Sequence, residues 1–168
     1  MSEPEGGAYR PNVCAVLTDD GQERVLVFRR IDALGSDLAW QFPQGGLDPG
    51  ESPEQGLARE LREEIGTDRV EILRQLPAPI RYTYPPEVRE LLAKKGSKMA
   101  RFRGQDQIWF LARLAVGTDA IRFDTHTPEF DAFEWVEPGE AVSRVIPFKR
   151  EAYREALRAF GLLDGGED

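Results

Sequence analysis

The chain has 168 residues, a formal net charge of −8, 40% hydrophobic and 31% charged residues, a balance that suits one hydrophobic core and so one domain. The acidic excess excludes tight nonspecific binding of long nucleic acid, which needs clustered Lys and Arg, and no apolar run approaches the roughly 20 residues that span a bilayer. Cys14 and His126 are alone in their types, which excludes internal disulfides and Cys/His zinc sites and leaves oxygen-bound cations such as Mg²⁺, Mn²⁺ or Ca²⁺ as the metal chemistry open to the chain.

Residues 1–8 are polar and glycine-containing, without the apolar core of a secretory signal; they predict a flexible tail on a cytoplasmic protein. The domain is expected over 9–163, followed by a short flexible tail at 164–168. Residues 12–18 and 24–30 alternate in hydrophobicity around Asp19-Asp20-Gly21 and predict a β-hairpin. A short strand is expected over 38–43 before a loop at Gly45-Gly46, and another over 70–76. Residues 87–103 are charged and irregular. Strands are expected again over 108–114 and 132–136, and 148–160 has helical spacing. Strands mixed with helices imply an α/β fold in which helices cover a sheet.

The clearest helix lies between Ser52 and Gly66. Ser52 suits the cap, Pro53 the first helical position, Gln55 completes a capping box, and Gly66 stops the helix. Leu57, Leu61 and Ile65 recur every four residues as a stripe that packs on a sheet. At about 100° per residue, Glu60, Glu63 and Glu64 gather on another face. An acidic face neutralised by Arg59 and Arg62 is the ordinary reading of such a helix.

The flanks change that reading. Gly45, five residues, Glu51, seven residues, then Arg59-Glu60-Leu61-Arg62-Glu63-Glu64-Ile65-Gly66 resembles the Nudix box at every charged and glycine position. It departs at Thr67, where the family usually has an aliphatic residue. The resemblance implies a Nudix α/β/α sandwich with a central mixed sheet. It also implies that Glu60, Glu63 and Glu64, with the Gly45 carbonyl, bind two or more Mg²⁺ ions, with Mn²⁺ as a substitute. Arg59 would orient the carboxylates, and Glu51 would fix the loop to the helix through its arginine.

Beyond the box, the chain resembles the bacterial RNA pyrophosphohydrolases and the related asymmetric dinucleoside tetraphosphate hydrolases. The carriers are Tyr9-Arg10-Pro11-Asn12-Val13, Trp40-Gln41-Phe42-Pro43-Gln44-Gly45-Gly46, Gly104-Gln105, Trp109-Phe110-Leu111, Thr127-Pro128-Glu129-Phe130-Asp131 and Phe148-Lys149-Arg150. On that resemblance Glu129 is a further metal ligand or the base that orients water, a role for which Glu63 is the rival. Arg10, Arg30 and Lys149 would contact 5′ phosphates, while Phe148 either stacks on a nucleobase or fills the core. Gln41, Gln44 and Gln105 are candidates for phosphate or sugar contacts, Trp40 for packing, and Tyr82 and Tyr84 for the rim. His126 is either a lone base or a surface residue.

The expected substrates are 5′-triphosphorylated RNA ends or dinucleoside polyphosphates, with no membrane and no obligate protein partner. An inactive module that binds nucleotides or RNA ends is the reading from another class, and four intact carboxylates argue against it. Arg89, Lys94, Lys95, Lys98, Arg101 and Arg103 locally reverse the global acidity. They form either a solvated loop or a rim that attracts the next RNA nucleotides.

Overall fold

The computed structural model describes residues 8–33 and 36–164. Both expected tails lie outside the described residues, apart from Ala8, which opens the first strand, and Asp164. Strands β1 (Ala8–Thr18), β2 (Val25–Arg30), β3 (Trp40–Gln41), β4 (Gln44–Gly46), β5 (Val70–Gln75), β6 (Ile80–Thr83), β7 (Phe102–Leu114) and β8 (Phe130–Val136) form one sheet. β1 and β7 run parallel from Ala8/Phe102 to Thr18/Arg113, whereas every other pairing is antiparallel, so the sheet is mixed.

Helices α1 (Pro53–Ile65), α2 (Pro86–Lys94), α3 (Pro138–Arg144) and α4 (Arg150–Ala159) surround it. The two-residue period of β1 sorts its side chains between two cores. Val13, Ala15 and Leu17 pack with the Leu57, Leu61 and Ile65 stripe of α1. Cys14 and Val16 instead join Trp109, Leu111 and the α4 residues Tyr153, Ala156 and Leu157. Helices on opposite faces of a mixed sheet give the expected α/β/α sandwich. Among the described residues, no helix is long and apolar enough to cross a membrane.

The predicted hairpin survives only at its root. Asp19 Oδ1 accepts from the Glu23 and Arg24 amides, with the left-handed turn position at Gln22 rather than Gly21. β1 and β2 pair only at Thr18–Val25. Beyond that point the 43–46 segment wedges in: the Ala15 amide donates to the Pro43 carbonyl, and β4, expected as a loop, pairs with Asn12, Val13 and Cys14. β2 turns instead to β8. This divergence lays the Gly45-Gly46 backbone against the central strand β1, beside α1.

The 87–103 segment is more regular than its charge suggests. Pro86 starts α2, Val88 and Leu92 pack on the core one helical turn apart, and a 3₁₀ turn spans Lys98–Arg101. Tyr82 and Tyr84, expected at the rim, are buried. They alternate with exposed Arg81 and Thr83 along β6 and its end.

Candidate metal and nucleotide site

α1 is terminated as its sequence predicts. Ser52 Oγ accepts from the Gln55 amide at 3.1 Å, Gln55 Oε1 accepts from the Ser52 amide at 2.9 Å, and Gly66 closes the helix with φ 78°. Thr67, the departure from the box, is buried and accepts from the Arg69 amide through Oγ1 at 3.1 Å. Its hydroxyl therefore has a partner and leaves the acidic face undisturbed.

Arg59 organises that face. Its guanidinium donates to both Glu51 oxygens at 2.7 and 2.9 Å, to Glu60 at 2.8 Å, to Glu63 at 3.3 Å and to the Gly46 carbonyl at 2.8 Å. The helix is thereby fixed to β4. These bonds, led by Glu51, push the Arg59 pKa up and hold the Glu51 carboxyl down at about 2. Glu60 moves the other way because burial disfavours its charge more than Arg59 restores it. A methyl group at Gly45 would overlap the Glu60 carboxylate, and one at Gly46 would overlap the Arg10 guanidinium. Both glycines are therefore close-approach positions.

Glu64 is the most buried carboxylate of the face, at 5% exposure. Burial first, then a hydrogen bond and charge repulsion from Glu129, push its pKa well above the usual range. The Gln44 amide donates to its Oε1 at 3.2 Å. Among the described residues, neither Glu64 nor Glu129 has an ion-pair partner, and no three acidic groups converge in ligating geometry. The donor chemistry nevertheless fits a hard divalent cation: oxygen only, closely spaced, with two facing carboxylates that lack a positive partner. NUDIX proteins generally use such cations.

Two cavities adjoin this face. One, of about 310 Å³, is walled by Tyr82, Tyr84, Phe148, Lys149, Gln44 and Gln105, among others. The other, of about 530 Å³, reaches Pro128 and Glu129. Arg30, Asp32, Gln41 and Met99 line both, which makes them one cleft. The Ile31 amide donates to the Glu129 carbonyl and Arg30 pairs with Phe130 across β2 and β8, so Arg30 and Glu129 are placed together by the sheet.

Asp32 holds the Arg30 fork at 3.0 and 2.8 Å. Lys149 is buried at 7% exposure and donates to Gln41 Oε1 at 3.3 Å. Phe148 meets the rings of Tyr82 and Tyr84 at 5.7 and 6.0 Å while also facing the cavity, so it both packs and lines. Trp40 packs, with the Arg29 and Arg144 guanidinia 5.8 and 5.2 Å from its ring.

Arg10 lies over Gly46 and donates to Met99 Sδ at 3.1 Å, so it touches a residue that lines both cavities without lining them itself. His126 is exposed, with Nε2 3.7 Å from Glu63 Oε1. Sequence reasoning missed Gln107, whose fully buried amide bridges Asn12 and Gln44 at 3.0 and 2.9 Å. It also missed Asp32 and Met99. Gln107 and Met99 acquire their places through long-range contacts that nothing local marks, whereas Asp32 pairs with Arg30 only two residues away.

Comparison with known proteins agrees with this architecture. Residues 8–160 match the NUDIX domain. An RNA pyrophosphohydrolase of Helicobacter pylori is 42% identical over 155 residues, covering 90% of this chain and 93% of its own. One from Acidiphilium cryptum is 45% identical and covers 90% of each. Among solved structures, a C. elegans Ap4A hydrolase complex superposes with a TM-score of 0.60 at 16% identity, covering 92% of this chain and 99% of that one. The E. coli dihydroneopterin triphosphate pyrophosphohydrolase gives 0.58 at 19% identity, covering 90% and 99%. These two show the fold alone. With nearly the whole chain matched in sequence, and the acidic helix, close-approach glycines and sandwich all in place, this protein belongs to the NUDIX family.

Proposed function

We propose that this chain removes pyrophosphate from 5′-triphosphorylated RNA, leaving a 5′ monophosphate. The observation that carries the reading is the single cleft that joins Glu129 through Arg30 and Gln41 to Lys149, Phe148 and Tyr84. It offers the Glu129 carboxylate and the Arg30 guanidinium to a polyphosphate at one end, and aromatic walls with Lys149 to a nucleoside and its phosphate at the other. The names of relatives more than 40% identical over nine-tenths of both chains support RNA as the polyphosphate's carrier. The reading places the protein in the cytoplasm, where triphosphorylated transcripts arise.

Glu60, Glu63, Glu64, Glu129 and the Gly45 carbonyl would hold two or more Mg²⁺ ions, or Mn²⁺ in their stead. Bound there, the metal supplies neutralisation of phosphate charge and activation of water. Arg59 positions Glu60 and Glu63 for that task. Glu129, which lines the cleft where Glu63 does not, is assigned to orient the attacking water, and Glu63 is left as a ligand. Arg30 and Lys149 bind the phosphates within the cleft, and Arg10, held beside the cleft at Met99, is a further phosphate contact. Phe148 closes the nucleoside end.

The test is a side-by-side assay in Mg²⁺ of a short 5′-triphosphorylated RNA and diadenosine tetraphosphate, with products identified. Faster RNA cleavage with pyrophosphate release is expected. Preferential formation of ATP and AMP would move the chain to dinucleoside polyphosphates, and metal-dependent binding of either without turnover would make it a sensor.

Lys149 yields a pH-dependent expectation. Burial, then the Arg30 charge, lower its pKa from 10.5 to about 8. The folded protein thus loses this proton before the unfolded chain does. The cost of burying the charge is in force below about pH 8, and stability rises with pH between the two values. Lys149→Met should therefore raise the melting temperature at pH 7 while lowering kcat/KM on RNA by about tenfold through the lost phosphate contact. In the wild type, kcat/KM should fall above about pH 8 as the free enzyme's ammonium deprotonates. A Lys149→Met protein with an unchanged kinetic pH profile would remove Lys149 from the site.

A further inference from the structure

We propose that the C-terminal end of α2 and the Lys98–Arg101 turn form a phosphate track for the RNA strand downstream of its 5′ nucleotide, an inference that rests on the RNA activity proposed above. Lys94, Lys95, Lys98 and Arg101 are all exposed. Among the described residues, none of them lies within ion-pairing distance of a carboxylate. In a chain of net charge −8, Arg29, Arg81, Arg113 and Arg144 by contrast each pair with an acidic side chain at 3.1 Å or less. No Asp or Glu occurs between Glu90 and Asp106. The result is a concentrated positive rim.

Its location gives it a ligand. Lys95 and Met99 line the aromatic end of the cleft, while Ser97 and Met99 line the end that reaches Glu129. Lys94, Lys98 and Arg101 flank these wall residues in the chain and remain open to solvent. The segment is held in place: Val88 and Leu92 pack on the core, Arg10 donates to Met99 Sδ at 3.1 Å, and Ser97 Oγ caps the Met99 amide at 3.1 Å. Apolar surface accompanies the charge. Leu91 and Ile31, at 52% and 38% exposure, are two of the three exposed large hydrophobics among the described residues, and each lines one end of the cleft.

Cations for phosphates beside apolar surface for bases is the composition of a single-strand binding path. A dinucleoside tetraphosphate, which ends at its second base, has no downstream phosphates to occupy the track.

The experiment compares the wild type with the Lys94→Ala/Lys98→Ala/Arg101→Ala triple variant on a 5′-triphosphorylated RNA of about 10 nucleotides and on a 5′-triphosphorylated dinucleotide, across a salt series. Three phosphate contacts on a single strand predict a slope of log kcat/KM against log salt about two units steeper for the longer RNA in the wild type. The triple variant should lose that difference and about tenfold in kcat/KM on the longer RNA at low salt, with less than about a twofold change on the dinucleotide. Equal losses on both substrates, or none on either, would overturn the track while leaving the RNA activity standing. The second of these would be the result if the rim serves an acidic protein. A wild type that cleaves neither RNA would overturn both readings.

Discussion

Glu64→Gln is expected to lower kcat on triphosphorylated RNA by about a thousandfold in saturating Mg²⁺, because several kcal/mol of charge stabilisation in the transition state depend on the carboxylates that hold the metal. The fold should tolerate the change. Glutamine has nearly the same shape, and its Oε1 can still accept from the Gln44 amide, which donates to Glu64 at 3.2 Å. It also removes a charge that burial and Glu129 disfavour, so the metal-free variant should melt no lower than the wild type.

The two proteins should separate when Mg²⁺ is added. A cation bound only by the folded state raises stability in proportion to the logarithm of its concentration, and the wild type should show that rise while Glu64→Gln shows little of it. Differential scanning calorimetry with and without Mg²⁺, alongside steady-state kinetics, gives both readouts. Wild-type turnover in the variant would remove Glu64 from the metal set. A full Mg²⁺-dependent rise in melting temperature with impaired turnover would instead leave the metal to the other carboxylates.

The facing of Glu64 and Glu129 marks the limit of what local sequence conveys. Ser52, Pro53, Gln55 and Gly66 specify α1 through contacts a few residues long, and all four act as their chemistry predicts. The arc shared by Glu60, Glu63 and Glu64 follows from helical geometry alone. Glu129 reaches Glu64 only because β8 pairs with β2, and only family resemblance suggested that meeting beforehand.

Elsewhere, local signals competed with distant ones. The Asp19 turn formed, yet Pro43 and β4 took the edge of β1 that a hairpin would have given to β2. In α2 the helical stripe is only Val88 and Leu92, too narrow to stand out among the surrounding charges. Tyr82 and Tyr84 did carry a signal: Ile80, Tyr82 and Tyr84 alternate with Arg81 and Thr83, a half-buried strand pattern. The buried bridge from Gln107 to Asn12 and Gln44 had none, since a buried amide needs partners that only the tertiary structure supplies.

Arg59→Met should damage both fold and turnover, combining a loss of about 2–4 kcal/mol of stability with a fall of at least about a hundredfold in kcat. Methionine replaces much of the buried stem but none of the donors. Glu51 and Glu60, each only 14% exposed at the side chain, would lose their cation, and the Gly46 carbonyl would lose its link to α1. The fully buried limit for such a break is about 3–5 kcal/mol; the 22% exposure of Arg59 lets water offset part of it. Arg59→Lys should recover less than half of the stability, because a single ammonium cannot span Glu51, Glu60, Glu63 and the Gly46 carbonyl at once. Since Arg59 acts through the carboxylates, the Mg²⁺ concentration for half-maximal activity should rise with the loss of kcat, and excess Mg²⁺ should restore part of the rate. Urea denaturation would measure the first effect and Mg²⁺ titration of activity the second. An Arg59→Met protein as stable as the wild type, with unchanged Mg²⁺ dependence, would reduce the whole network to a surface arrangement without consequence for the site.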